Sequence, residues 1–222
     1  PDGVAWHRTA AVVVDPVTRV VTCADGTEVA GGDIVLAPGA TLDWDAIPGA
    51  AEALQRGVAI STFDDALLDR AWQRIRPLER GTAIFTLHGQ PASGRETALK
   101  PLLLACDRWR REGVRDAIDV VLVHDETRLH PVSAIEGEWR RHLEEARVDV
   151  RTGVRVATID GDDVVLSGAG GDERRHVDLL HLLPPYAAAP LVPASGLDGP
   201  GTDGFVDVDP ETLRHRVHPR IW

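Results

Sequence analysis

Three strand-like segments alternate with two helix-like segments over residues 82–151, and this alternation restricts the possible folds more than any other feature. The strands are predicted at Thr82–Thr86, Ile118–His124 and Val148–Arg151. Parallel strands need long crossover connections, which are usually helices, so this order is typical of a doubly wound α/β half-domain with right-handed crossovers. The second strand is nearly all apolar, which predicts a central strand covered on both faces.

The two intervening helices each have a sequence signature at their start. Ser93 and Glu96 have the spacing of a capping box, in which the two side chains satisfy backbone N–H groups of the first turn. A helix is therefore predicted from there to about Glu112. Ser133 and Glu136 repeat the pattern and predict a second capping box at the start of the next helix.

Changes in composition divide the chain into three predicted parts. Residues 1–42 carry β-branched runs and hairpin turn signals and predict a β piece, and residues 43–185 form the predicted α/β domain. In residues 186–222, the part up to 204 is rich in Pro, Gly and Ala and predicts a linker, followed by short returning strands. The chain contains no methionine and ends abruptly at Trp222, so we expect a piece of a longer protein.

Charge and cysteine content exclude several classes of function. Lys and Arg number 24 and Asp and Glu number 35, so the formal charge is −11, and a nucleic acid partner, which requires a basic face, is not expected. The apolar runs are far shorter than the roughly 18 residues of a membrane-spanning helix. Cys23 and Cys106 are too few for a disulfide scaffold, which predicts buried packing residues and a reducing, cytoplasmic compartment.

The loop after the first predicted strand is where a dinucleotide phosphate would bind. Such a site needs G-x-G-x-x-G, because bare backbone N–H groups must approach the pyrophosphate at a helix N-terminus. Residues 86–94 read TLHGQPASG, in which the glycine spacing is wrong and Pro91 removes a donor. Tight binding of NAD is therefore not expected, and a scaffold is the simpler interpretation of this half-domain.

Other polar residues give weaker signals. His124, Asp125 and His130 follow a strand end, but their spacing matches no known tetrahedral metal site, so a solvated loop is favoured and no metal is expected. The arginines within residues 108–115 are interleaved with acidic residues, which predicts a solvated helix face. No G-x-S-x-G motif supports a hydrolase.

A series of short motifs along nearly the whole chain resembles one enzyme family. In chain order these are DIVLAPG at 33–39, WDAIPG at 44–49, GTAIFT at 81–86, GVRD at 113–116, DLLHLLPP at 178–185, GFVDVD at 204–209 and TLRH at 212–215. Their order is similar to that in the sulfide:quinone oxidoreductase and flavocytochrome c sulfide dehydrogenase branch of the FAD-dependent pyridine nucleotide–disulfide oxidoreductases.

The resemblance implies a Rossmann-like, pyridine-nucleotide-type half-domain flanked by β pieces of an incomplete FAD domain. The parent protein would hold FAD, take electrons from a small-molecule donor and pass them to a quinone or another acceptor. The fragment alone would carry no bound cofactor and would be inactive. The alternatives are an NADH-dependent flavoprotein reductase of the same superfamily and a non-catalytic scaffold or interaction domain. Peripheral association of the parent with the inner face of the cell membrane and homo-oligomer formation are left open.

The resemblance also implies which residues would face the cofactor. The backbone around Ala11 would face the adenine, and Ala37, Pro38 and Gly39 would face the flavin. Lys100 would lie near the edge of the isoalloxazine ring or else in solvent.

The redox cysteines of the family have no counterpart among the matching residues of this chain. The resemblance would put one cysteine at Ser61 and the other at Ser93. Serine has no accessible redox couple, and sulfide uptake as a persulfide requires a thiolate. Catalytic residues are therefore not assigned, and sulfide as the donor is in doubt.

Overall fold

The computed structural model describes residues 3–88 and 95–222, which form two compact units. Unit 1 combines the residues up to Leu42 with Tyr186–Trp222, and unit 2 is Asp43–Pro185. The strands are β1 (Ala11–Asp15), β2 (Val20–Cys23), β3 (Glu28–Ala30), β4 (Ala40–Leu42), β5 (Ala59–Ile60), β6 (Gly81–Leu87), β7 (Ile118–His124), β8 (Asp149–Thr152), β9 (Val154–Asp160), β10 (Asp163–Gly168), β11 (Gly171–His176), β12 (Leu179–His181) and β13 (Tyr186–Ala188). The helices are α1 (Ala50–Arg56), α2 (Leu68–Ile75), α3 (Arg95–Arg111), α4 (Ser133–Glu145) and α5 (Leu191–Ala194), with short 3₁₀ turns at Trp44–Ala46, Asp65–Leu67 and Arg115–Ala117.

Unit 2 is built on a five-stranded parallel sheet, which confirms the predicted α/β class. The strand order is β5-β12-β6-β7-β8, and every neighbouring pair is parallel. β6 and β7 pair from Gly81 opposite Ile118 to Leu87 opposite His124. β7 has a neighbour on each side, as its apolar sequence predicted. The antiparallel sheet β9-β10-β11 completes the strands of this unit.

Helix α3 contributes more buried side chains to unit 2 than helix α4. Leu102 and Trp109 of α3 are fully covered, and Trp109 Nε1 donates a hydrogen bond to the Ile75 carbonyl at 3.1 Å. Cys106 is buried on the same helix, which confirms its prediction as a packing residue. Helix α4 buries only Leu143 among its residues. Since burial of one large apolar side chain stabilises by about 1.5–3 kcal/mol, α3 is the stronger support of the sheet.

The predicted capping box at Ser133 is wrong. α4 begins at Ser133 itself, Val132 occupies the position before it, and no side chain caps the first turn. The Glu136 carboxylate instead accepts the Leu129 N–H at 3.2 Å, because the loop before the helix folds back over its first turn. The other predicted capping box, at Ser93, lies outside the described residues.

The basic segment predicted as a solvated face contains one buried arginine. The Arg115 guanidinium donates hydrogen bonds to the carbonyls of Ile118 at 2.6 Å, Ala146 at 2.8 and 3.1 Å, and Arg147 at 2.7 Å. It thereby ties the start of β7 to the end of α4. Sequence spacing could not reveal this role, since two of the three carbonyl partners, Ala146 and Arg147, lie 31 and 32 residues away along the chain.

Unit 1 combines the antiparallel sheet β1-β2-β3 with the antiparallel pair β4-β13. Its small core contains Val14, Ile34, Val192, Leu197 and Ile221. The prediction of a linker up to residue 204 is wrong, because β13 and α5 lie there and two of those core residues come from it. Ile34 and Ile221 pair in an isolated parallel bridge outside the named strands.

Candidate functional site

Unit 1 carries an open concave surface of about 660 Å³, named here the unit 1 concavity. Its walls come from β1, from residues 34–38 and from the chain entering α5, and they include Ala11, Val12, Val35, Ala37, Pro38 and Leu191. Val12 and Val35 are exposed at 44% and 77%, so the surface presents large apolar side chains to solvent. Concave apolar surfaces of this size are typical of small-molecule sites.

Backbone hydrogen bonds fix one wall of the unit 1 concavity. Ile34 donates its N–H to the Arg220 carbonyl at 2.9 Å, and Leu36 donates to the Trp222 carbonyl at 2.8 Å. Trp222 in turn donates to the Ile34 carbonyl at 2.9 Å. This pairing holds residues 34–36 in an extended form, so alternate side chains enter the core and face the solvent.

A serine hydroxyl fixes a second wall. Ser195 Oγ accepts the Val14 N–H at 2.8 Å and donates to the Leu191 carbonyl at 2.6 Å. The end of α5 is therefore attached to the interior of β1. Ser195 was not predicted, since a serine after a short apolar helix carries no distinctive signal in the sequence.

Three of the five residues predicted to face a cofactor lie together on this surface. Ala11, Ala37 and Pro38 all line the unit 1 concavity. Gly39 follows directly and adopts a left-handed backbone with φ of +71°, which glycine tolerates best. Lys100 belongs to unit 2, where it is exposed on α3.

The lining of the unit 1 concavity suits some parts of FAD and not others. The described residues that line the concavity have only apolar side chains, which suit flat ring systems such as adenine or isoalloxazine. They offer no charged side chain to neutralise a pyrophosphate. The concavity therefore fits the aromatic parts of FAD, and a phosphate site would have to come from other residues.

A cluster of polar side chains lies at the carboxyl-terminal edge of the parallel sheet in unit 2, where ligands bind in open α/β folds. His88 Nδ1 is 2.8 Å from Asp125 Oδ2, and both side chains are partly exposed. The buried His124 lies beside them and donates from Nδ1 to the Leu87 carbonyl at 2.9 Å. The Asp125 carboxylate at Nδ1 fixes the orientation of the His88 imidazole at this edge.

The opposite end of the same edge contains the predicted site residue Ser61, which is fully buried. Its Oγ accepts the Phe63 N–H at 3.2 Å, so the hydroxyl supports the local turn. Next to it, Thr62 Oγ1 is 2.9 Å from Nε2 of the buried His181. Burial lowers the pKa of His181 from 6.5 to about 4, so its ring is neutral near pH 7. The contact of Thr62 with His181 was not predicted, although a histidine inside an apolar strand was a visible signal in the sequence.

Ser93 lies outside the described residues. Over residues 3–88 and 95–222, no three or more His, Cys, Asp or Glu side chains cluster closely enough to hold a metal ion. Across those same residues, every helix is too short or too polar to cross a membrane.

The chain was compared with known proteins. No family model matches it. It is 27% identical over 228 residues to a mitochondrial sulfide:quinone oxidoreductase of Dictyostelium discoideum, covering all of this chain and 50% of that protein. It is 22% identical over 227 residues to a mitochondrial sulfide:quinone oxidoreductase of Mus musculus, with the same coverage. The chain thus spans about half the length of these curated relatives.

A solved structure shares the fold. The X-ray structure of the sulfide:quinone oxidoreductase from the hyperthermophilic bacterium Aquifex aeolicus superposes with a TM-score of 0.82 and 17% identity, covering 97% of this chain and 51% of the other. The match in fold therefore includes residues of both units. Together with the sequence relatives, it confirms that the chain resembles the sulfide:quinone oxidoreductase-like branch of the FAD-dependent pyridine nucleotide–disulfide oxidoreductases.

Proposed function

We propose that this chain is part of an FAD-dependent oxidoreductase that passes electrons from a small-molecule donor, through flavin, to a quinone or another acceptor. The observation that carries the proposal is the convergence of Ala11, Ala37 and Pro38 on one apolar concavity in a chain similar over its whole length to sulfide:quinone oxidoreductases. Because the chain spans half of those relatives, the activity belongs to the longer protein.

In this proposal the unit 1 concavity supplies the apolar wall for the cofactor. The backbone at Ala11 would contact the adenine, and Ala37 and Pro38 would lie against the isoalloxazine ring. FAD, when bound, would supply the two-electron redox chemistry. The residues of this chain would orient its rings and exclude water from them. We further propose a cytoplasmic protein, with peripheral association with the inner face of the membrane and homo-oligomer formation as subjects for test.

The two serines argue for a donor other than sulfide. Ser61 and Ser93 stand where the resemblance would put redox thiols, and a serine cannot form a persulfide. The proposal therefore names a small-molecule donor without specifying sulfide.

The concavity can be tested in the full-length protein by filling it. Ala37→Trp would occupy the space proposed for the flavin, so we expect purified protein to lose most of its yellow FAD absorbance. Val217→Trp is the matched control, because Val217 is 70% exposed and lies outside the lining. A full-length protein that binds no flavin, or an Ala37→Trp variant that keeps its full complement, would contradict the proposal.

The donor can be tested by anaerobic mixing of the full-length protein with sulfide or NADH. We expect sulfide not to bleach the flavin of the unmodified protein, and the double variant Ser61→Cys with Ser93→Cys to gain reactivity. For NADH, calorimetry on the 222-residue chain should show no binding tighter than about 1 mM, since its phosphate loop lacks the required glycines. Rapid bleaching by sulfide would refute the serine argument, and micromolar binding of NADH would favour the reductase alternative.

A further inference from the structure

A groove runs between helices α2 and α3 of unit 2, named here the α2–α3 groove. It has a volume of about 330 Å³, and its apolar lining includes Leu68, Trp72 and Leu104. These side chains are 43%, 49% and 69% exposed, although each is large and apolar. Adjacent exposed apolar side chains around a concave surface mark a binding site, whereas single ones scattered over a surface do not.

One positive charge lies in this apolar lining. Among the described residues that line the groove, Lys100 carries a charge and none is acidic. Just outside the lining, the Arg108 guanidinium, which forms an ion pair with Glu112, lies over the Trp72 ring at 5.0 Å from the ring centre. Lys100 therefore gives the described lining of the groove a positive charge, although the chain as a whole carries a net charge of −11. This charge complements an anionic group on an otherwise apolar ligand.

A fixed hydroxyl lies in the same lining. Thr62 lines the groove, and its Oγ1 is held 2.9 Å from Nε2 of His181, which is almost completely buried. When His181 Nε2–H donates to Oγ1, the Thr62 hydroxyl keeps its own hydrogen to donate to an anion, at low entropic cost because the side chain is already ordered.

From these features we propose that the α2–α3 groove binds a small apolar carboxylate, with its rings against Trp72 and Leu104 and its carboxylate at Lys100 and Thr62. The site lies wholly within unit 2 and requires no flavin. A failure of flavin binding would therefore leave this proposal intact, and a failure of carboxylate binding would leave the proposed oxidoreductase function intact.

Titration calorimetry with naphthoate on the 222-residue chain tests the proposal. We expect a Kd on the order of 100 μM, in keeping with a ligand of this size. The uncharged analogue naphthalenemethanol should bind about tenfold more weakly. Lys100→Met should weaken naphthoate binding about tenfold, and Lys100→Arg should restore most of it. Leu104→Glu should abolish binding, whereas Val217→Glu, at an exposed site outside the groove, should leave it unchanged.

Several outcomes would overturn the proposal. These are equal binding of naphthoate and its uncharged analogue, an unchanged Kd in Lys100→Met, an equal loss in Val217→Glu, or no binding up to several millimolar. The same titration on the full-length protein distinguishes the other possible occupant. If naphthoate binds the 222-residue chain and not the longer one, another segment of that protein covers the groove, and the small-ligand proposal is wrong.

Discussion

The Asp178 carboxylate binds the backbone at the start of β6 and occupies the space that a side chain at Gly81 would need. Its Oδ2 accepts the Thr82 N–H at 2.8 Å. A Cβ built on Gly81 would overlap the same carboxylate, and Gly81 has a φ of +108°. The position therefore requires glycine for two reasons, the backbone conformation and the close approach of Asp178.

We expect Gly81→Ala to lower the free energy of unfolding by about 3 kcal/mol or more, since it adds backbone strain and displaces Asp178 from its hydrogen bond. Gly113→Ala is the matched control, because Gly113 has a φ of +75° but no atom within 4 Å of the built Cβ. It should cost only about 1 kcal/mol. If both variants lose the same free energy of unfolding in urea, the Asp178 side chain moves aside at no energetic cost.

A buried threonine joins β6 to the segment that follows β12 at the carboxyl-terminal edge of the sheet. Thr86 Oγ1 accepts the Leu183 N–H at 2.8 Å and lies 3.3 Å from the Leu183 carbonyl. We expect Thr86→Val to destabilise the chain by about 1–3 kcal/mol, because it leaves a buried N–H unsatisfied at nearly constant volume. Thr86→Ser keeps the hydroxyl and should retain more stability in thermal unfolding. A Thr86→Val variant as stable as the original would contradict this role.

Arg115 and Arg110 lie in one segment, and substituting each of them compares the contribution of a buried arginine to stability with that of an exposed one. Arg115 donates to three backbone carbonyls, whereas the Arg110 side chain is 73% exposed and pairs with Asp107. We expect Arg115→Lys to cost about 3 kcal/mol, since an ammonium cannot reproduce the fork of donors. Arg110→Lys should change stability by less than about 0.5 kcal/mol. Chemical denaturation of both variants measures the difference, and similar values would refute the structural role of Arg115.

His181 makes stability depend on pH in a defined direction. Its pKa of about 4 in the folded chain lies below the ordinary value of 6.5. The unfolded chain therefore binds the proton more readily, and the stabilisation is fully present above about pH 6.5 and lost as the pH falls towards 4. The loss is about 3 kcal/mol.

Unfolding free energies between pH 4 and 7 test this assignment. We expect His181→Gln to flatten the curve over this window, because an amide keeps a hydrogen bond to Thr62 without titrating. His142→Gln is the control, since His142 is exposed on α4. An unchanged slope in His181→Gln would show that another group titrates there.

Much of unit 2 could be predicted from the sequence, because its signals are local. β7 was predicted at its observed bounds, and β8 was displaced by one residue. The two-residue strand β5 was not predicted, since Ala59 and Ile60 are too few to show a period. The candidate site was harder: neither the contact of Thr62 with His181 nor that of His88 with Asp125 is local in sequence.

The sequence by itself determined the alternation of strands and helices, the apolar character of the central strand and the order of motifs along the chain. These properties depend on residue type and on spacing over a few residues, so they are visible before folding. Only the tertiary structure decided that residues 186–204 join a core, that Arg115 is buried and that Ala11 lies on the same surface as Ala37. Each of these depends on contacts between distant segments. Such contacts form only when apolar surface is buried and the buried polar groups find hydrogen-bond partners at the same time.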